Sequence, residues 1–219
     1  MINDFKLGFK LMKHGLQFKM SILSSVLFLI AGFMFEASGE PIGIVGSVYV
    51  VMGSIMVYQL IHSLTCAGLI QSSSLKKRLQ TSISAITTFV CTMILNTIIV
   101  GMKLLMAHLK QTPVSDIAAN ILIASFLMVI VMVYMGFAMK TFWLSTIVFI
   151  VACSIGGFFL GIGLGLEWFT SWNVSIGAAI VISYLAVAAG CFLMYLISLA
   201  LYKKDYSKTT FDSALKRAK

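Results

Sequence analysis

The chain has 219 residues, of which 60% are hydrophobic and only 11% charged, with a mean hydropathy of +1.02. A soluble globular chain is nearer half apolar and a quarter charged, so that class is excluded. The formal charge of +9 sits in short segments between and outside long apolar runs, which argues for membrane topology and against a nucleic-acid partner.

Residues 1–19 come first. A secretory signal would place one continuous apolar stretch after a short basic region. Here Lys6, Lys10 and Lys13 are instead interleaved with Phe5, Leu7, Phe9, Leu11, Met12, Leu16 and Phe18. On a helical wheel the lysines share a narrow stripe with Gln17, and the apolar residues cover most of the rest. This pattern predicts an amphipathic helix lying in the membrane interface; the alternative is a basic flank that only orients the first span.

Six apolar runs follow, the first of them short against the roughly 20 residues that a helix needs to cross hydrocarbon. They cover residues 20–35, 42–70, 83–105, 117–137, 142–166 and 176–202. A turn over residues 36–41, containing Gly39 and Pro41, ends the first. Pro113, Ser115 and Asp116 open the fourth, with Ser115 as the expected N-cap. A break at Lys140 and Thr141 precedes the fifth, and residues 203–219 form a polar tail. The alternating segments of a membrane barrel do not occur. The expected fold is therefore an all-α polytopic membrane bundle of six transmembrane helices with an N-terminal interfacial helix, a single domain over residues 1–219. Placing both termini in the cytoplasm puts fourteen of the sixteen basic residues inside, as the positive-inside rule requires. Only Lys103 and Lys110 then lie outside, where Lys103 is expected to snorkel. Glu36, Glu40, Asp116 and Glu167 lie outside too, in or beside loops. A cell-membrane location follows.

No P-loop, HExxH or GxSxG pattern occurs, and the three histidines, His14, His62 and His108, are scattered. Cys66, Cys91, Cys153 and Cys191 all fall inside apolar runs, where a free thiol behaves as a small hydrophobe. No catalytic residue, metal site or resident cofactor is expected. An ion-coupled carrier would usually place an acidic residue at mid-membrane, and none is found there. The polar residues inside the spans are Gln59 and His62, at an i, i+3 spacing, and Asn96, preceded by Thr88 and Thr92. They mark either a translocation path or helix-to-helix hydrogen bonds. Between the fifth and sixth spans, Gly156, Gly157, Gly161, Gly163 and Gly165 precede Glu167, Trp168, Phe169 and Trp172. This is either a broken span with a re-entrant outer gate or a glycine-rich span with an interfacial aromatic belt. Asn173, Val174 and Ser175 match a glycosylation sequon.

Residues 71–82 connect the second and third spans. Ser73 or Ser74 can cap a short helix in which Leu75 and Leu79 share one face, flanked by Lys76, Lys77, Arg78 and Gln80. Such an element suits docking into a groove on a soluble partner, or is a solvated loop that sets topology.

Taken together, the basic N-terminal helix, the six spans, the serine-then-basic first cytoplasmic loop and the glycine/aromatic connection resemble the membrane subunit of an ABC-2 type exporter. The resemblance implies that Ser73 to Gln80 form the ATPase-coupling segment. It also implies a separate ATP-binding subunit that carries the ATP and Mg, a homodimer or a sister permease, contact with membrane lipids, and an amphiphilic cargo such as a peptide, antimicrobial or lipid-like molecule. Two other classes stay open. One is the substrate-binding S component of a vitamin importer, with Trp168, Phe169 and Trp172 as its lid. The other is a non-transporting immunity or scaffold protein.

Overall fold

The structure is a computed structural model that describes residues 2–14, 18–38, 45–65, 74–111, 113–138, 140–161 and 164–208. Regular structure among them is entirely helical: α1 (Ile2–Met12), α2 (Phe18–Ser38), α3 (Val45–Thr65), α4 (Leu75–Lys110), α5 (Val114–Ala138), α6 (Phe142–Gly161), α7 (Leu164–Ser171) and α8 (Ile176–Leu201). Five of these segments are long and apolar enough to cross a membrane: Phe18–Ser38, Val45–His62, Leu75–Lys110, Val114–Ala138 and Ile176–Leu201. A shorter apolar stretch, Phe142–Ser154, begins α6. Such helices fit a membrane-embedded protein.

The bundle is organised around α5 and α8, which pack most extensively on each other, with α4 and α3 completing the centre. Val50, Tyr58, Leu95, Ile99, Met128, Met132, Val187 and Met194 form the main core. A second cluster, including Val100, Ile117, Ile121 and Ala179, fills the end near Pro113. By contrast α2 buries little beyond Gly32 and Glu36, and it exposes Leu23, Leu27, Ile30 and Met34. In α6, Trp143, Leu144, Ile147 and Val148 are exposed as well. Helices apolar on their outer surface need lipid around them, because water would leave that surface unfavourably solvated.

Several boundaries differ from the sequence expectation. The first span does not stop before Glu36: α2 runs to Ser38, so Glu36 lies inside the helix and is buried. The third span begins well before residue 83. Leu75–Arg78 is helical, Leu79–Ile83 forms one π turn, and Ser84–Lys110 continues without a break. Leu, Lys, Arg and Gln are good helix formers, so the helix runs on where hydropathy falls away. α5 starts at Val114, and the carbonyl of Pro113 accepts from the amides of Asp116 and Ile117. Ser115 is therefore not the cap, and its hydroxyl donates to Asp116 Oδ1 instead.

α1 lies against α3 and α4. Its Gly8 faces Ile83 and Thr87 so closely that a Cβ there would stand 3.1 Å from Ile83 Cγ2 and closer still to Thr87 Oγ1. A Gly8→Leu variant should therefore shed α1 from the bundle. Limited proteolysis should cut the N-terminal segment several-fold faster, while the melting of the remaining helices stays near wild type.

Candidate functional site

Two lysines are buried at opposite ends of the bundle, and each organises a polar cluster. At the end near Pro113, Lys103 of α4 forms an ion pair with Glu36 of α2; both side chains are only 4% exposed. Lys110, two turns along α4, donates to the Glu36 carbonyl at 3.2 Å. Glu36 Oε2 and Asn120 Oδ1 have no hydrogen-bond partner among the described residues. Both residues line a cavity of about 10 Å³ with Lys103, Lys110 and Ile117, a volume that admits about one water molecule. The carboxylate is seated through glycine. A Cβ on Gly46 would collide with Glu36 Oε2, and it would stand 2.6 Å from the Gly32 carbonyl. Gly32 and Gly46 thus let α2 and α3 touch backbone to backbone, the usual role of small residues between membrane helices.

At the opposite end, Lys140 lies in the short α5–α6 connection and is 7% exposed. Its ammonium donates to Gln80 Oε1 (3.2 Å) and to the Lys204 carbonyl (2.6 Å), and sits 3.9 Å from the centre of the Tyr206 ring. The Tyr206 hydroxyl is 3.4 Å from His62 Nδ1, and His62 packs against Tyr58 with ring centres 4.2 Å apart and planes tilted by 38°. Lys140 therefore ties α4, the α5–α6 turn and the segment after α8 together. The π turn matters here: it is the part of α4 that carries Gln80. Such turns are rare and occur frequently at functional sites.

Two of the polar residues singled out inside the spans have described partners. His62 belongs to the Lys140 cluster. Asn96 accepts from Ser183 of α8 at 3.1 Å, a helix-to-helix hydrogen bond. Gln59 is half-buried. In the connecting segment Leu75 is exposed (41%), whereas Leu79 and Gln80 are buried at 1% and 2%. Ser74 stands at the helix start without a side-chain capping bond, and Ser73 lies outside the described residues. Lys77 and Arg78 are exposed and Lys76 half-buried. Arg78 pairs with Asp4 of α1 at 2.5 Å, while Lys77 Nζ lies 5.0 Å from the ring centre of Tyr202.

Within α1, Lys6, Lys10 and Lys13 are exposed and Met12 is buried, while Phe5 is half-buried and Phe9 exposed; Leu16 lies outside the described residues. Trp168, Phe169 and Trp172 form a mutual aromatic cluster with centroids 4.7–5.4 Å apart. Both tryptophans and Glu167 are exposed, and Phe169 packs on the Ile117 and Ala179 core. Asn173 adopts a positive φ of 47° that turns the chain into α8. There Ser175 caps the helix, accepting from the Ala178 amide.

Sequence reasoning read Lys140 only as a break and a topological charge, did not single out Asn120, and read Lys103 as snorkelling. One signal was there: Lys103 and Glu36 are opposite charges set in apolar runs toward the same membrane face.

Fold and clusters define a polytopic helical membrane protein with buried ionic and polar ties at both ends. No protein-family model, curated protein or solved structure matches the chain.

Proposed function

We propose that the chain is the membrane subunit of an ABC exporter of the ABC-2 type. It crosses the membrane six times, with α1 in the interface and both termini cytoplasmic, and is driven by a separate ATP-binding subunit that carries ATP and Mg. It works as a homodimer or beside a sister permease, and its cargo is amphiphilic. The observation that carries this reading is α4. It spans 36 residues, about 54 Å of helix at 1.5 Å per residue, against about 30 Å of hydrocarbon. Its basic end, Leu75–Arg78, is partly exposed and available to a soluble subunit. The far part of the same helix carries Lys103, so a displacement at the basic end would reach the Glu36 pair along one continuous helix. Arg78–Asp4 would move α1 with it.

The docking face is narrower than Leu75 plus Leu79, because Leu79 is core. Leu75→Asp, or neutralising Lys76, Lys77 and Arg78 together, is expected to abolish co-purification of an ATP-binding subunit from native membranes. The protein should still insert and melt near wild type. A variant that inserts normally and retains its ATPase in full would overturn the docking role.

One observation favours a ligand-binding role instead: the exposed indoles of Trp168 and Trp172. Nanomolar retention of a small vitamin by the isolated chain, lost in Trp168→Ala, would move the reading to an importer's binding subunit. The cavity beside Glu36 holds a water rather than a vitamin, so that site would have to lie at the aromatic surface.

A further inference from the structure

A lateral groove of about 630 Å³ runs between α1, α4 and α8, within the roughly 300–1,000 Å³ of ordinary ligand pockets. Its walls are Phe5 from α1, Ala85, Phe89 and their neighbours from α4, and Ala188, Phe192 and Tyr195 from α8. Apolar lining alone would say only that lipid tails pass by. The mouth says more. Ser82 of the π turn lines the groove, and its hydroxyl donates to the carbonyl of Arg78, four residues before it, at 3.4 Å. On α8, Tyr202 lies two turns beyond Tyr195. Lys77 and Lys203 both place their ammonium groups over the Tyr202 ring, at 5.0 and 6.0 Å, while Arg78 is joined to Asp4 of α1. The α4 and α8 walls of the groove therefore meet basic charge at one end, where α1 brings Asp4. Asp4 offsets one of these cations, and the rim stays positive.

We propose that this groove binds one anionic glycerophospholipid of the adjoining leaflet, with an acyl chain along Ala85, Phe89 and Ala188 and its phosphate at Lys77, Arg78 and Lys203. An acyl chain matches an elongated apolar trough open to the membrane, and a phosphate matches clustered Lys and Arg at headgroup depth. The site needs no ATPase, although it shares Lys77 and Arg78 with the docking segment. Ala188 and Lys203 lie outside the segment proposed to meet a soluble subunit, so failure of either reading leaves the other intact.

The test is native mass spectrometry of the full chain in mild detergent, titrated with phosphatidylglycerol or with phosphatidylcholine of the same acyl chains. Wild type should retain one phosphatidylglycerol in preference to phosphatidylcholine. Lys77→Gln/Lys203→Gln should weaken that retention by about fivefold per residue neutralised, the fold-change equivalent of about 1 kcal/mol for each basic group near an anionic surface. Ala188→Phe, which fills the open groove without touching the core, should reduce retention of both lipids. Equal retention of the two lipids by wild type would overturn the proposal, as would a preference that survives both variants. Conversion of a dimer to a monomer by Ala188→Phe with lipid retention unchanged would also overturn it, assigning the groove to a second copy of the chain.

Discussion

Lys103→Met is expected to destabilise the protein by about 3–5 kcal/mol, the usual cost of removing one partner from a buried ion pair. The loss has little to do with the attraction itself. It comes from leaving the Glu36 carboxylate between α2, α3 and α4 with its main counter-charge gone, in a region where lipid supplies no hydrogen bonds. Replacing both partners, Lys103→Met with Glu36→Met, should recover most of the stability, because two apolar side chains carry no desolvation penalty. Lys110→Met should cost less, since that ammonium is only half-buried. Unfolding midpoints in detergent, measured for the two single variants and the double, would check this. A neutral Lys103→Met would mean that the pair does not hold the helices together. If the pair is also the far end of a transport stroke, the double variant should be stable yet inactive, which separates the structural role from the functional one.

The second large effect is expected at the α2–α3 crossing. Gly46→Leu puts a side chain where the Gly32 carbonyl and the Glu36 carboxylate already stand. Backbone cannot rotate away as a flexible side-chain tip can, so the two helices must part. Overpacking of this kind costs about 1–3 kcal/mol, and the upper end applies because the ion pair is displaced as well. Since both substitutions act on Glu36, their effects should not add: Gly46→Leu in the Lys103→Met/Glu36→Met background should cost less than in wild type. Strict additivity in that cycle would show that Gly46 serves helix packing alone. Gly101 is the contrasting case, because a Cβ there meets nothing within 4 Å, so Gly101→Ala should be close to neutral.

The class of protein was legible in the sequence because the membrane acts on composition. Hydrocarbon demands long runs without charge, and those runs stand out whatever their neighbours do. For the same reason the helical architecture, the breaks near Pro113 and Lys140, and the apolar character of the cysteines could be read one residue at a time. Helix ends were less legible. Hydropathy marks where the membrane ends, whereas helices end where backbone hydrogen bonding fails, and in α4 those two places are eight residues apart.

What only the tertiary structure decided is which polar groups meet. Glu36 and Lys103 are 67 residues apart in sequence, and Gln80 and Lys140 are 60 apart; no local pattern links either pair. Each lysine looked like a topological marker, because a single charge at the end of an apolar run is explained equally well by snorkelling into water as by burial. The choice depends on whether a neighbouring helix brings an acceptor to the same depth. That in turn depends on how closely the helices approach, which at Glu36 is set by Gly32 and Gly46. Composition and hydropathy placed the chain in the membrane, while the crossing of α2 over α3 seated Glu36 beside Lys103 and the fold brought Gln80 to Lys140.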